Sequence, residues 1–236
     1  VDFGSDARPV AGLGEACLKF RPDAGHAWRL SGRAGIFFPP VSLEHDGSEW
    51  SLSCTVTPSA LNTWIAEEAK ASGIEASLDG VVGDQRVRFT AAAFVGNDTA
   101  GTLLAFRGWA LHDLRATVAG TFALPDQPAM FVGQQGEKTQ PVIEVDGRIG
   151  GYGQAEWSLS DTVTLSFFGY DKNGDETSLT DGHYAWNTHF SQAALHWTPY
   201  ESGDVLVQAL MGACNGGASP ADVDFVAAYG LVSQEV

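Results

Sequence analysis

The sequence lacks long hydrophobic runs and has few positive charges. No stretch approaches about 18 consecutive apolar residues, so no transmembrane helix is predicted. Only 13 lysines and arginines stand against 29 aspartates and glutamates, which gives a formal net charge of −16. This charge would repel a phosphate polymer, so no nucleic-acid partner is expected. Hydrophobic residues make up 44% of the chain and charged residues only 18%, which excludes a disordered acidic polypeptide.

Sequence motifs of nucleophile and metal chemistry are also missing. The three cysteines, Cys17, Cys54 and Cys214, form no CxxC pair, and neither HExxH nor G-x-S-x-G occurs. We therefore predict buried or pore-facing cysteines, no enzymatic activity and no cofactor.

One loop carries oxygen ligands at the spacing of a calcium turn. Asp171, Asn173 and Asp175 form the pattern D-x-N-G-D. The bidentate glutamate that such a loop needs near its end is absent, because Gly182 stands in that position. The same residues suit a solvated Asn-Gly hairpin. They are candidate calcium ligands, while the prediction for the chain as a whole is no metal site.

Two-residue alternation of apolar and polar side chains runs through most of the chain, and this is the period of a half-buried strand. About 11 to 13 segments show it, many near the length of about 9–11 residues that a tilted strand needs to cross a bilayer. In 163–170 the apolar face carries Val163, Leu165 and Phe167. A strand is also predicted over 143–149. The apolar face assigned to the last segment consists of Val223, Phe225, Ala227, Tyr229 and Leu231.

Residues 57–68 break the alternation and predict a short helix. Thr57 is the candidate N-cap, Pro58 occupies the tolerated first position, and Trp64 lies on an apolar stripe. A helix that interrupts a series of strands is either a loop folded into a lumen or a cap on the surface.

Alternation suits a soluble β-sandwich as well as a barrel, but two features favour a barrel in a membrane. Apolar faces end in aromatic residues such as Trp28, Trp157 and Trp197, and aromatic girdles mark both interfaces of outer-membrane barrels. Full charges lie in mid-strand on the opposite faces. The residues predicted to line a pore are Lys19, Arg29, Arg33, Glu75, Arg86, Arg88, Arg115, Glu144, Arg148 and Glu156.

Three stretches resemble a poorly characterised group of porin-like outer-membrane proteins of Gram-negative bacteria. They are GIFFPPVSLEH at 35–45, NDTAGTLL at 97–104 and YAWNT at 184–188. The resemblance implies a transmembrane β-barrel in the bacterial outer membrane, and it implies location more firmly than solute. Such barrels commonly finish on a strand with a terminal aromatic, whereas this sequence finishes on SQEV at 233–236. We therefore expect either that closing strands are missing or that the barrel is atypical.

The sequence thus predicts an all-β protein, an antiparallel transmembrane β-barrel over 1–236 as a single domain with one short helix in a loop. The predicted function is a porin-like pore for passive diffusion of small hydrophilic solutes, anions among them. Expected partners are membrane lipid and these solutes, with a homo-oligomer or a larger outer-membrane assembly as candidates. Two alternatives remain: a structural barrel subunit of an outer-membrane complex, and a soluble secreted β-sandwich that binds glycans.

Overall fold

The secondary structure is dominated by strands. The structure, a computed structural model, describes residues 12–21, 27–45, 50–52, 55–200, 203–216 and 221–234. The strands are β1 Ala16–Phe20, β2 Arg29–Phe37, β3 Ala71–Val82, β4 Gln85–Val95, β5 Phe122–Ala123, β6 Lys138–Thr139, β7 Gly150–Ser158, β8 Val163–Asp171, β9 Leu179–Thr180, β10 His183–Tyr184, β11 Asn187–Tyr200, β12 Gly203–Gly216 and β13 Ala221–Gln234. The helices are α1 Ala60–Glu68 and α2 Thr102–Phe106, with a 3-10 turn at Ala129–Phe131. Neither of these helices has the length and apolar character needed to cross a membrane.

Nine strands form one antiparallel sheet in the order β1-β2-β3-β4-β7-β8-β11-β12-β13. The nine strands follow one another in the sheet in the same order as in the sequence, so the sheet is a meander. The other two sheets in the described residues have two strands each, β5–β6 and β9–β10. The predicted all-β, antiparallel class is therefore confirmed, and the sandwich alternative lacks its second large sheet. Within the described chain β1 and β13 each have one neighbour, so the sheet is not closed into a barrel.

The sheet is strongly curled, as its contacts with residues 38–45 (the crossing segment) demonstrate. Arg33 on β2 donates to the carbonyl of Phe38, with Nη2 and O 3.0 Å apart. Gln208 on β12 donates to the carbonyl of Val41 over 3.1 Å. These strands are six spacings apart, about 29 Å across a flat sheet. Three residues of extended chain reach only about 10 Å, so both strands can contact the segment only if the sheet curves around it.

The curvature gives the sheet a convex face that is apolar and exposed. Phe167, Met211 and Val226 lie on it, with 56%, 65% and 70% of their surfaces exposed. In the nine described strands, the convex face carries charge only at one end, where the charged residues are Asp171, Asp222 and Asp224. The concave face bears the other charged side chains of these strands and is covered by the crossing segment and by α1.

Helix α1 forms where the sequence predicts a helix, but its N-cap is Ser59 rather than Thr57. The Ser59 hydroxyl accepts the Asn62 backbone N–H over 3.4 Å. Glu44 of the crossing segment binds both residues, since its Oε2 lies 2.6 Å from the Ser59 hydroxyl and 2.6 Å from Asn62 Nδ2. The helix therefore starts on a buried carboxylate that ties it to the crossing segment.

The packing of Trp64 decides between the two predicted positions of the helix. This fully buried residue of α1 lies against Phe190 of β11 and Phe225 of β13, with ring centroids 5.5 and 5.2 Å apart. The helix is therefore folded onto the concave face and is not a surface cap.

Two strand predictions are wrong. Residues 143–149 form irregular chain, where Asp98 and Glu144 accept backbone N–H groups. In β13 the predicted faces are reversed, because Phe225 is buried beneath α1 while Asp224 and Val226 point outward.

The described cysteines are free thiols on the concave side of the sheet. Cys17 is half-buried on β1 and Cys214 is buried on β12. Cys54 lies outside the described residues.

Candidate functional site on the concave face

Seven of the ten residues predicted to line a pore come together on the concave face. They belong to β1, β2, β3, β4 and β7, and cross-strand pairing sets them side by side. The seven are Lys19, Arg29, Arg33, Glu75, Arg86, Arg88 and Glu156. One row of the register runs from Arg29 through Asp79 and Arg88 to Glu156. The alternation of apolar and polar residues along each strand was sufficient to predict that these seven side chains share one face of the sheet.

The other three residues lie outside the strands and away from this group. Arg148 contacts the loop after β8, with Nη2 3.0 Å from Asp175 Oδ2. Glu144 accepts the backbone N–H of Gly147 over 2.6 Å. Arg115 lies in irregular chain between α2 and β5. The prediction that these three residues lie on the inward faces of strands is wrong, because the alternating residues around them form loops.

Two cavities open on the concave face. The hairpin cavity, beside the β3–β4 and β7–β8 turns, has a volume of about 610 Å³. The central cavity, beneath the crossing segment, has a volume of about 780 Å³. Both are lined by Arg29, Asp79, Arg88 and Glu156, so they meet along that row of the register. Polar and charged side chains thus border one continuous space.

Two arginines in this space are neutralised by carboxylates. Arg33 forms a bidentate pair with Glu75, in which both N–O distances are 2.8 Å, and the Tyr152 hydroxyl donates to the same carboxylate. Arg88 Nε lies 2.6 Å from Asp79 Oδ1, and its Nη1 lies 3.7 Å from Glu156. Planar guanidinium–carboxylate contacts of this kind hold both partners in place. These arginines brace the wall of the cavity.

The remaining bases of the space have no such partner. Lys19, Arg21, Arg29 and Arg86 make no ion pair or hydrogen bond with any described residue. The two cavities together are lined by six bases, Lys19, Arg21, Arg29, Arg33, Arg86 and Arg88, and by three acids, Glu75, Asp79 and Glu156. The lining therefore carries a formal charge of +3 in a protein whose net charge is −16.

An apolar wall faces these bases across the central cavity. Phe38 stacks on Trp50 at a centroid distance of 4.3 Å, and His45 also stacks on Trp50, at 4.4 Å. Leu43 of the crossing segment lines both cavities. The sequence prediction missed this wall, because it belongs to irregular chain that no periodicity marks. The Pro39-Pro40 pair, which ends the β2 pattern, was its only signal.

The end of α1 presents two buried carboxylates, and Glu67 is the paired one. Glu67 accepts two hydrogen bonds from Arg107, at 2.8 and 2.5 Å, and its Oε1 lies 2.8 Å from His112 Nε2. The ion pair holds α1 against the chain that follows α2. It is a structural contact and not part of the cavity lining.

Glu68 is buried, and no cationic side chain among the described residues pairs with it. It accepts the indole N–H of Trp64 at 2.6 Å and the backbone N–H groups of Gly101 and Leu103 at 3.0 and 2.8 Å. Burial raises the pKa of Glu68 to about 7, although these hydrogen bonds oppose the shift. Glu68 therefore anchors the start of α2 to the end of α1, in a state that depends on pH.

Lys70, which follows α1, is buried beside the crossing segment. Its Nζ donates to the carbonyl of Ala116 over 2.6 Å and lies 3.9 Å from the centre of the Phe38 ring. Burial lowers the pKa of Lys70 to about 8. The ammonium holds Phe38 on the side away from Trp50, which fixes the apolar wall.

One cluster of carboxylates in the described residues is close enough to share a metal ion. Asp98, Glu144 and Asp146 place carboxylate oxygens within 4.8 Å of one another. The ammonium of Lys172 lies between two of them, 2.5 Å from Asp98 and 3.8 Å from Asp146. Lys172 thus supplies positive charge to the buried carboxylates of Asp98 and Asp146, while Glu144 lies exposed at the edge of this salt bridge.

The candidate calcium ligands do not converge. Asp171 accepts the backbone N–H of Asn173 over 2.7 Å. Asp175 binds Thr177 and Arg148 at 2.7 and 3.0 Å. These side chains shape the start of the loop that leads from β8 through β9 and β10 to β11, so the predicted Asn-Gly hairpin is wrong.

The concave face surrounds one space with charged side chains, and the Ser42 hydroxyl, which lies 2.8 Å from His45 Nδ1, borders the same space. No family model, curated protein or solved structure matches the chain.

Proposed function

We propose that this chain lies in the bacterial outer membrane, with its convex face against lipid, and that its concave face forms the wall of a path for passive diffusion of small hydrophilic solutes. The observation that carries the proposal is the reversed polarity of the sheet. A sheet in water exposes polar residues, whereas the exposed face here is apolar and the covered face is charged.

The apolar band has dimensions that suit a membrane. On β8 it extends from Val163 to Asp171, a distance of about 27 Å along the strand and about 20 Å at the tilt of about 45° common in barrels. Trp157 and Trp197 lie on the convex face at the end of the band near the β7–β8 turn. Trp28 joins them, because its ring lies over Gly80, where a Cβ would come within 2.2 Å of it. Aromatic residues at this depth match the interface girdle of outer-membrane barrels.

The edges of the sheet indicate what completes the wall. Lipid offers no hydrogen-bond partner to the backbone groups of β1 and β13, so further strands must pair with them. Eight antiparallel steps separate these two strands, which therefore run in the same direction. Antiparallel closure thus requires an odd number of added strands. We propose that an adjoining polypeptide segment or a partner chain supplies them.

The path proposed for solutes is the joined pair of cavities. Its wall carries charges on β2, β3, β4 and β7, which keep it hydrated and filter solutes by charge and size. The proposed mechanism is diffusion past charged side chains, without a covalent step or a cofactor.

A second candidate function is a structural barrel subunit whose lumen is plugged. The observation that favours it is the packing of α1 onto β11, β12 and β13, where Phe190, Leu210 and Phe225 are buried. In that case the two cavities on the concave face of β2, β3, β4 and β7 are closed at one end and conduct no solute.

Membrane flotation and planar-bilayer recording test the proposal in sequence. The chain, isolated together with the segment or partner that supplies its closing strands, should float with lipid vesicles after a carbonate wash and should give steady, voltage-independent conductance steps in a planar bilayer. A chain that stays in the soluble fraction as a monodisperse monomer overturns the membrane assignment. A chain that floats and never conducts overturns the pore and supports the plugged, structural barrel.

A further inference from the structure

We infer that the central cavity binds small organic carboxylates that carry an apolar body, such as an aromatic carboxylate. The inference rests on the proposed function and names the class of solute that the path selects. It comes from two opposed walls of the same cavity, one with unpaired cations and one with stacked rings.

The cationic wall, formed by Lys19, Arg21 and Arg29, can bind the negative charge of a ligand. Glu75 is held by Arg33, and Asp79 is held by Arg88. Glu156, the third acid of the lining, lies 3.7 Å from the Nη1 of Arg88. None of the three acids forms an ion pair with Arg29. Arg29 has no described hydrogen-bond or ion-pair partner. Its guanidinium presents a fork of donors that matches a carboxylate.

Lys19 and Arg21 extend this wall along β1. Both line the central cavity and neither has a described partner. With Arg29 they give three unpaired positive charges on one side of one cavity. Mutual repulsion of these charges is relieved when an anion enters, which favours binding of a negatively charged ligand.

The opposite wall is built from Phe38, Leu43 and Trp50. Trp50 has a φ of 59°, in the left-handed region that bulky residues rarely adopt. Its indole stacks on Phe38 and His45, and Lys70 holds the far face of Phe38. The apolar wall is thus rigid, and the backbone carries strain to keep it in place.

The size of the cavity separates an organic anion from an inorganic one. Its volume of about 780 Å³ lies in the range of about 300–1,000 Å³ that is usual for organic ligands. A bare phosphate on Arg29 would leave the apolar wall in contact with water. An aromatic carboxylate places its charge on Arg29 and its ring against the opposite wall, which removes that apolar surface from water.

Titration calorimetry on the detergent-solubilised full chain tests the inference with sodium benzoate, sodium acetate and sodium phosphate. Benzoate should bind about tenfold more tightly than acetate, because only benzoate buries a ring. Arg29→Gln should weaken benzoate binding about tenfold. Arg86→Gln is the matched control: this arginine is also unpaired and concave, but it lines only the hairpin cavity. It should leave the affinity within about twofold, since salt screens charges over about 8 Å.

Three results would overturn the inference: no measurable benzoate binding, phosphate binding as tight as benzoate binding, or equal losses in Arg29→Gln and Arg86→Gln. The outcome is independent of conductance. A chain that conducts but does not bind benzoate refutes the inference about the ligand and does not contradict the proposed pore. A chain that binds benzoate but does not conduct supports the inference and refutes the pore.

Discussion

At the scale of single residues, the arginines of the concave face divide into two classes that the sequence does not distinguish. Arg33 and Arg88 are paired with acids on a neighbouring strand, whereas Arg29 and Arg86 have no partner in the part of the chain that the structure describes. Removing one of the paired arginines leaves an acid behind and costs stability. Removing one of the unpaired arginines changes only the field in the cavity. A pore experiment must therefore keep the two classes apart.

Glu68 gives a pH prediction at the same scale. Its folded-state pKa of about 7 lies above the ordinary value of 4.5, so the folded protein binds this proton more tightly than the unfolded chain does. The contribution of Glu68 to stability is therefore fully present below pH 4.5 and is lost as the pH rises to about 7. The loss from this group is about 3 kcal/mol. Urea unfolding at pH 5 and pH 8 measures it.

Two variants isolate the Glu68 contribution. In Glu68→Gln the difference in unfolding free energy between pH 5 and pH 8 should shrink by most of that amount, while Glu137→Gln, at an exposed loop position, should keep it. Glu67 keeps its contacts with Arg107 and His112 in both variants, so the ion pair that holds the end of α1 is common to the comparison. An unchanged pH slope in Glu68→Gln would refute this account.

At the scale of elements, the aromatic packing of α1 against the concave face centres on Trp64. Trp64→Ala removes the fully buried ring that packs against Phe190, Phe225 and Trp109, and it should cost about 3–5 kcal/mol of unfolding free energy. Trp157→Ala is the control, since this tryptophan of the convex face is 45% exposed and should cost less. Denaturant unfolding measures both, and equal losses would contradict the placement of α1.

The main strands were predictable because alternation with charge on one face leaves only one way to orient a strand. Lys19, Arg33 and Glu75 fix the inward faces of β1, β2 and β3 in this way. Alternation does not fix a face in β13, where Phe225 and Val226 are neighbours and both faces look apolar. Packing against Trp64 decides it, and that contact joins residues far apart in the sequence.

The loops were not predictable by the same reasoning. In 143–149 the polar positions are carboxylates with local roles: Glu144 accepts a backbone N–H in a turn, and Asp146 pairs with Lys172. The resulting apolar–polar alternation resembles that of a strand, although these residues form no strand hydrogen bonds. The crossing segment has no period at all. Its carbonyls are bound by Arg33, Gln154 and Gln208 from three strands, and only the curled sheet brings those side chains together.

At the scale of the whole molecule, charge is sorted by surface. The chain has a net charge of −16, yet the lining of the two cavities is net positive, and in the described strands the convex face carries charge only at one end. Solvent and salt screen the acids of loops and turns, while the bases act inside a confined space. This sorting is what a membrane-embedded solute path requires.

The measurement that tests the central claim most directly compares two arginine substitutions in lipid vesicles. Ala209 is exposed in the middle of the convex band, between Ala193 and Ala228 on the neighbouring strands. Thr164 lines the hairpin cavity on the concave face. If the convex face contacts lipid, Ala209→Arg should lower the unfolding free energy by about 2–4 kcal/mol. Thr164→Arg should change it by less than about 1 kcal/mol, because it adds charge to a wet wall. In water an exposed alanine accepts arginine within about 0.5 kcal/mol. Equal, small effects at both positions would therefore contradict the membrane assignment.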